Sequence, residues 1–109
     1  MKTLKYKIKP TILFENKELW IFNNEILDMP FSMIEDGIIS CKQVMSGEYP
    51  EMSWGLEVAE LFIHKEISTL EYHGKFVMEI PTIEIFDMLK KYRDKLKEYK
   101  SEEDSIGNT

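Results

Sequence analysis

The chain has 109 residues, of which 43% are hydrophobic and 12% aromatic; that is one domain's length, with enough apolar surface to offset the entropy of ordering it. Its formal charge of -6 is unevenly distributed: residues 1–9 hold four lysines and no acid, residues 10–74 three lysines against twelve acids, and residues 75–109 seven bases against eight acids. So acidic a middle repels nucleic-acid phosphates and anionic lipid, which argues against both as partners and favours a basic partner or simple solubility.

No run reaches the ~18 apolar residues that span a bilayer, and Met1-Lys2-Thr3-Leu4-Lys5 lacks the apolar core of an export signal. The single Cys41 has no internal disulfide partner. Together these features lead us to expect a reducing, cytoplasmic setting.

In chain order, Leu4, Tyr6 and Ile8 alternate with Lys5, Lys7 and Lys9, the period of a strand whose lysine face blunts a sheet edge, and Pro10 ends it. Residues 11–14 and 19–22 are β-prone runs around Glu15-Asn16-Lys17-Glu18 and predict a hairpin, with a further turn at Asn23-Asn24. Residues 26–34, interrupted by Pro30, read as a weak strand or irregular segment. Asp36-Gly37 tolerates positive φ, and Ile38, Ile39 and Val44 after it predict a strand over 38–45. Residues 46–53 read as a loop.

The segment 54–64 fits a helical face through Trp54, Val58, Leu61 and Phe62 and a strand through Leu56, Val58 and Phe62; continuity with the β-prone runs at 67–72 and 75–80 favours a strand. Those two runs, around His73-Gly74, form a hairpin pattern. Pro81 closes the last strand, Thr82 is placed to cap the next element, and a helix is expected from about 83 to 100. Its apolar stripe is Ile85, Phe86, Leu89, Tyr92, Leu96 and Tyr99, with lysines and Arg93 toward solvent. The expected fold is thus α+β: one domain over 1–100, built of an antiparallel sheet of about five to seven strands with one long C-terminal helix on one face, and a disordered polar tail over 101–109.

No constellation of catalytic groups emerges. His64-Lys65-Glu66 has the spacing of a zinc-deaminase motif, but one cysteine cannot complete that metal cage. His73 reads as a solvated turn residue and Cys41 as a small buried apolar group. The glycines at 37, 47, 55, 74 and 107 are scattered singly, so no phosphate loop is present, and the paired acids Glu35-Asp36 and Glu57 with Glu60 lack calcium-loop spacing. Neither an enzymatic activity nor a cofactor or metal is expected.

Glu48-Tyr49-Pro50-Glu51-Met52-Ser53-Trp54 places two aromatics and a methionine beside two acids. As a binding loop, Tyr49 and Trp54 would anchor a partner while the acids meet its Lys or Arg; as a structural one, Trp54 and Met52 would fill the core with the acids facing water. The partner-binding candidates are Glu48, Tyr49, Glu51, Met52 and Trp54, with Glu57 and Glu60 extending the acidic surface.

Trp-Gly-Leu-Glu-Val at 54–58, Tyr-His-Gly-Lys-Phe-Val-Met-Glu-Ile-Pro at 72–81 and Phe-Asp-Met-Leu-Lys-Lys-Tyr-Arg-Asp-Lys-Leu at 86–96 give the chain a general resemblance, over about residues 54–100, to small acidic bacterial immunity proteins of contact-dependent or polymorphic toxin systems. That resemblance implies a non-enzymatic protein that covers the active site of a cognate toxin, often a basic nuclease. A self-assembling or accessory subunit of a larger complex, such as a phage-type protein, is the alternative.

Overall fold

Residues 19–45 carry apolar side chains at helical intervals, and they fold as helices. The computed structural model describes residues 11–55 and 57–107, with side chains through Tyr99. A short 3-10 turn, Lys17–Leu19, leads into α1, Trp20–Asp28, and Pro30 separates it from α2, Phe31–Met45. Leu19, Phe22 and Ile26 are buried on the first stretch, and Ile34, Ile38, Cys41 and Val44 on the second. These are the i, i+3, i+4 and i+7 steps of one helical face.

Several sequence expectations are corrected here. The hairpin over 11–22, the weak strand or irregular segment over 26–34 and the strand over 38–45 are replaced by a segment without regular secondary structure leading into two helices. Isoleucine and valine propensity is outweighed by the burial of one continuous stripe. Asp36-Gly37 is no turn: Gly37 lies inside α2, buried, where a Cβ would come within 2.8 Å of the Trp54 indole and 3.0 Å of a Leu89 methyl. It is the contact point between helix and core. Asn23 likewise makes no turn; its side-chain amide donates to the Ile12 carbonyl and its oxygen accepts from the Phe14 N–H, holding the preceding segment against α1. The lysine-alternating strand expected over residues 4–9 lies outside the described residues.

The second half is a meander. Strands β1 (Met52–Gly55), β2 (Ala59–Ile63), β3 (Ile67–Tyr72) and β4 (Lys75–Pro81) pair in order, all antiparallel. The strand reading of 54–64 holds, with a turn inside it, and so does the hairpin at 72–75, where His73 and Gly74 both have positive φ, the signature of a two-residue primed turn. Among the described residues the sheet has four strands, not five to seven. Its first strand, β1, begins within the stretch expected to be loop.

Pro81 ends β4 and α3 follows directly, over Thr82–Gly107; residues 101–107 of the expected tail continue its backbone. Ile85, Leu89 and Tyr92 are buried and Phe86 and Leu96 partly so, as the stripe predicts. Thr82 donates its hydroxyl to the His64 carbonyl and so accepts from the Ser68 hydroxyl at 2.7 Å. Both side chains are fully buried, and each meets its bonding needs through the other. All three helices pack on one face of the sheet, against Trp54, Leu61, Ile63 and Leu70.

Two further ties cross the layers. Glu25 of α1 accepts the N–H groups of Val58 at 2.6 Å and Ala59 at 2.8 Å, fastening the β1–β2 turn to the helix. Tyr72 donates its hydroxyl to the Glu18 carbonyl at 2.6 Å, joining β3 to the 3-10 turn that precedes α1.

Candidate binding surface

Strand alternation turns Trp54, Leu61 and Leu70 toward the helices, so their sequence neighbours point the other way. The outward positions are Ser53, Glu60, Phe62, Ile67, Thr69, Glu71, Phe76 and Glu79. Among the described residues three acids and no Lys or Arg occupy this face. Glu60 and Glu71 are direct cross-strand partners, and among the described residues neither they nor Glu79 have an ion-pair partner. Like charges opposite one another destabilise a sheet. Phe76 is 64% exposed and Ile67 49%, so apolar groups stand among the acids.

A cleft of about 810 Å³ runs along the β1 edge of the sheet. Its strand wall is Met52–Gly55, and its helix wall is the α2 stripe of Met33, Asp36, Ser40 and Gln43 with Ile39 beside it. Steps of three, four and three residues put that stripe on one side of the helix, over roughly 15 Å. Glu60 closes the cleft on the outer side, which makes cleft and acidic face one continuous surface.

The sequence-derived candidates separate within this frame. Met52, Trp54 and Glu60 line the cleft. Trp54 is only 6% exposed, and its indole N–H donates to the Met33 carbonyl at 2.8 Å. Its place is the cleft's rigid floor; an exposed anchor is not what the folded chain presents. Met52 is half-buried against the core. Glu48 and Tyr49 follow α2, whose end is a Schellman motif: Gly47 has φ +83 and bonds to Val44, while Glu48 N–H reaches the Gln43 carbonyl at 2.9 Å. Tyr49 remains exposed. Glu51 pairs with His64 at 2.8 Å, and Glu57 is exposed in the β1–β2 turn; neither lines the cleft.

Asp36, Ile39, Ser40 and Gln43 were missed because their segment reads as a strand. Glu71, Phe76 and Glu79 were missed although the hairpin was found, because their shared face becomes visible only once neighbouring strands are paired. The alternation of Glu71 with Leu70 and Tyr72 was the available signal.

Burial pushes the Cys41 thiol up to about 11, so it stays protonated at neutral pH and is a weak nucleophile. Burial also raises the Tyr92 and Tyr72 hydroxyls above their ordinary value. Among the described residues no group of three or more His, Cys, Asp or Glu side chains is placed to hold a metal ion, and no helix is long and apolar enough to cross a membrane. No family model, curated protein or solved structure matches the chain.

Proposed function

We propose that the chain is a non-enzymatic inhibitor that binds a basic toxin or nuclease domain and covers its active site. The observation that carries this reading is the opposed Glu60–Glu71 pair on a sheet face where no Lys or Arg stands among the described residues. Such a pair costs the free protein stability, and a partner's Lys or Arg would relieve the repulsion. Phe76 and Ile67 supply apolar area beside the charges, the combination that gives a docking face both steering and affinity. Glu48, Tyr49, Glu51 and Glu57 remain further candidates for contact with such a partner.

The test is recovery of the tagged protein from its host at low salt, followed by a wash at high salt. A stoichiometric basic partner that is released by salt, and whose enzymatic activity disappears when the pure protein is added, is the expected result. Retention of activity in the complex would remove the inhibitory reading.

Exposure of Phe76 and Ile67 on one face also suits a second reading, that of a self-assembling or accessory subunit. Juxtaposing two copies through that face would bring Glu60, Glu71 and Glu79 against their own kind, which disfavours it. Sedimentation at micromolar concentration separates the two, because the inhibitor is a monomer.

A further inference from the structure

Among the described residues the sheet has β1 and β4 at its edges, and the two are treated differently. β4 carries three devices that discourage pairing: Lys75 at its start, a bulge that leaves Val77 without a partner opposite, and Pro81 at its end. β1, Met-Ser-Trp-Gly, carries no lysine and no proline, and among the described residues it has one neighbouring strand only. The 810 Å³ cleft leaves room beside it.

The hydrogen-bonding phase of the sheet shows what that edge offers. His73 N–H donates to the Val58 carbonyl, and Thr82 N–H to the Glu66 carbonyl. Even-numbered residues of β2 therefore bond to β3, and Leu61 and Ile63 bond to β1, where their partners are Trp54 and Met52. Between those two, Ser53 turns both its N–H and its C=O outward into the cleft.

We propose that β1 is a strand-addition site, which accepts an extended basic segment of a protein partner that pairs with Ser53 and lies between β1 and α2. The occupant's chemistry is set by the two sides of the cleft. One side of an added strand would face Met33, Ile39 and Met52 and takes apolar side chains. Its other side would face Glu60 and the acids beyond it and takes arginine or lysine. Asp36 adds a further negative charge, and among the described residues no Lys or Arg lines the cleft to oppose a cation. Four residues of β1 span roughly 13 Å, enough for a segment of four or five residues. The inference rests on reading the chain as a binder of basic proteins and specifies how that partner is held.

The probe is a synthetic seven-residue peptide alternating arginine and valine, compared with a glutamate–valine peptide and with a copy N-methylated at alternate amides. Titration into the labelled protein is followed by amide hydrogen exchange and NMR. The arginine–valine peptide is expected to slow exchange at Ser53 at least tenfold, the N-methylated copy to bind at least tenfold more weakly, and the glutamate peptide not to bind. S53P removes the outward N–H at an edge position that tolerates proline. It should lose binding at least tenfold while the Trp54 indole resonance stays in its folded position, and S53A should bind normally. Absence of binding up to millimolar peptide, or equal binding by the N-methylated copy, would overturn the proposal. Shifts confined to Glu71, Phe76 and Glu79 would also overturn it, yet would leave the acidic face standing as the docking surface for a basic inhibitor target.

Discussion

The Trp54 indole occupies the space that a side chain at Gly37 would need, with its Cε2 only 2.8 Å from the position of a Cβ there. G37A is therefore a test of helix propensity against packing. Alanine gains up to about 1 kcal/mol in a helix interior, whereas forcing a methyl into a filled core costs about 1–3 kcal/mol. Net destabilisation on the order of 1 kcal/mol is expected in urea unfolding. In a W54F background, where the indole's second ring is gone, the same substitution should be neutral or stabilising.

Glu60 and Glu71 give a prediction in which stability and binding move oppositely. E71Q removes one of two facing charges and should stabilise the free chain by about 0.5 kcal/mol. Association with a basic partner should weaken in the same variant, and lose part of its salt dependence. Stability is read from thermal unfolding and binding from titration at two salt concentrations.

Glu25 holds the β1–β2 turn through two charge-assisted bonds, to Val58 and Ala59. E25A should cost about 2–3 kcal/mol, because it leaves both amides without their acceptor. Faster hydrogen exchange at positions 58 and 59 than in the wild type would locate the loss.

Cys41 sets a stability limit at alkaline pH. Its ordinary value of 9.0 is raised to about 11 by burial, so between these values the unfolded chain releases a proton that the folded chain keeps. The contribution is complete below pH 9 and is lost as pH rises through 11, up to on the order of 2 kcal/mol. Urea midpoints measured at pH 8 and pH 10.5 should fall less in C41A than in the wild type.

The parts of the fold legible in the sequence are those where one signal acts alone. Pro81, Thr82 and an apolar stripe beginning at Ile85 define the start and face of α3; His73-Gly74 between alternating runs defines a hairpin. The first half carries competing signals. Ile38, Ile39 and Val44 favour a strand by propensity, while Ile34, Ile38, Cys41 and Val44 favour a helix by period, and the burial of Gly37 against Trp54 is a tertiary fact that no local pattern expresses. The candidate surface was legible to the same degree. Met52 and Trp54 come from the aromatic and acidic segment 48–54 and Glu60 from the acids beyond it, but their α2 counterparts Asp36, Ile39 and Gln43 belong to a helix that reads as a strand. Trp54 shows the limit of composition: aromatic residues suit both interfaces and cores, and its bond to the Met33 carbonyl places it in the core.

A sheet that has, among the described residues, one bare edge and one guarded edge has a particular polymer chemistry. If two copies meet through β1, each consumes the one unguarded rim found among the other's described residues, and the product is closed at two by symmetry. Growth into a fibre requires a second rim, and Lys75, the bulge at Val77 and Pro81 withhold it. Fibre formation should therefore track damage to β4 far more closely than the crowding of intact molecules.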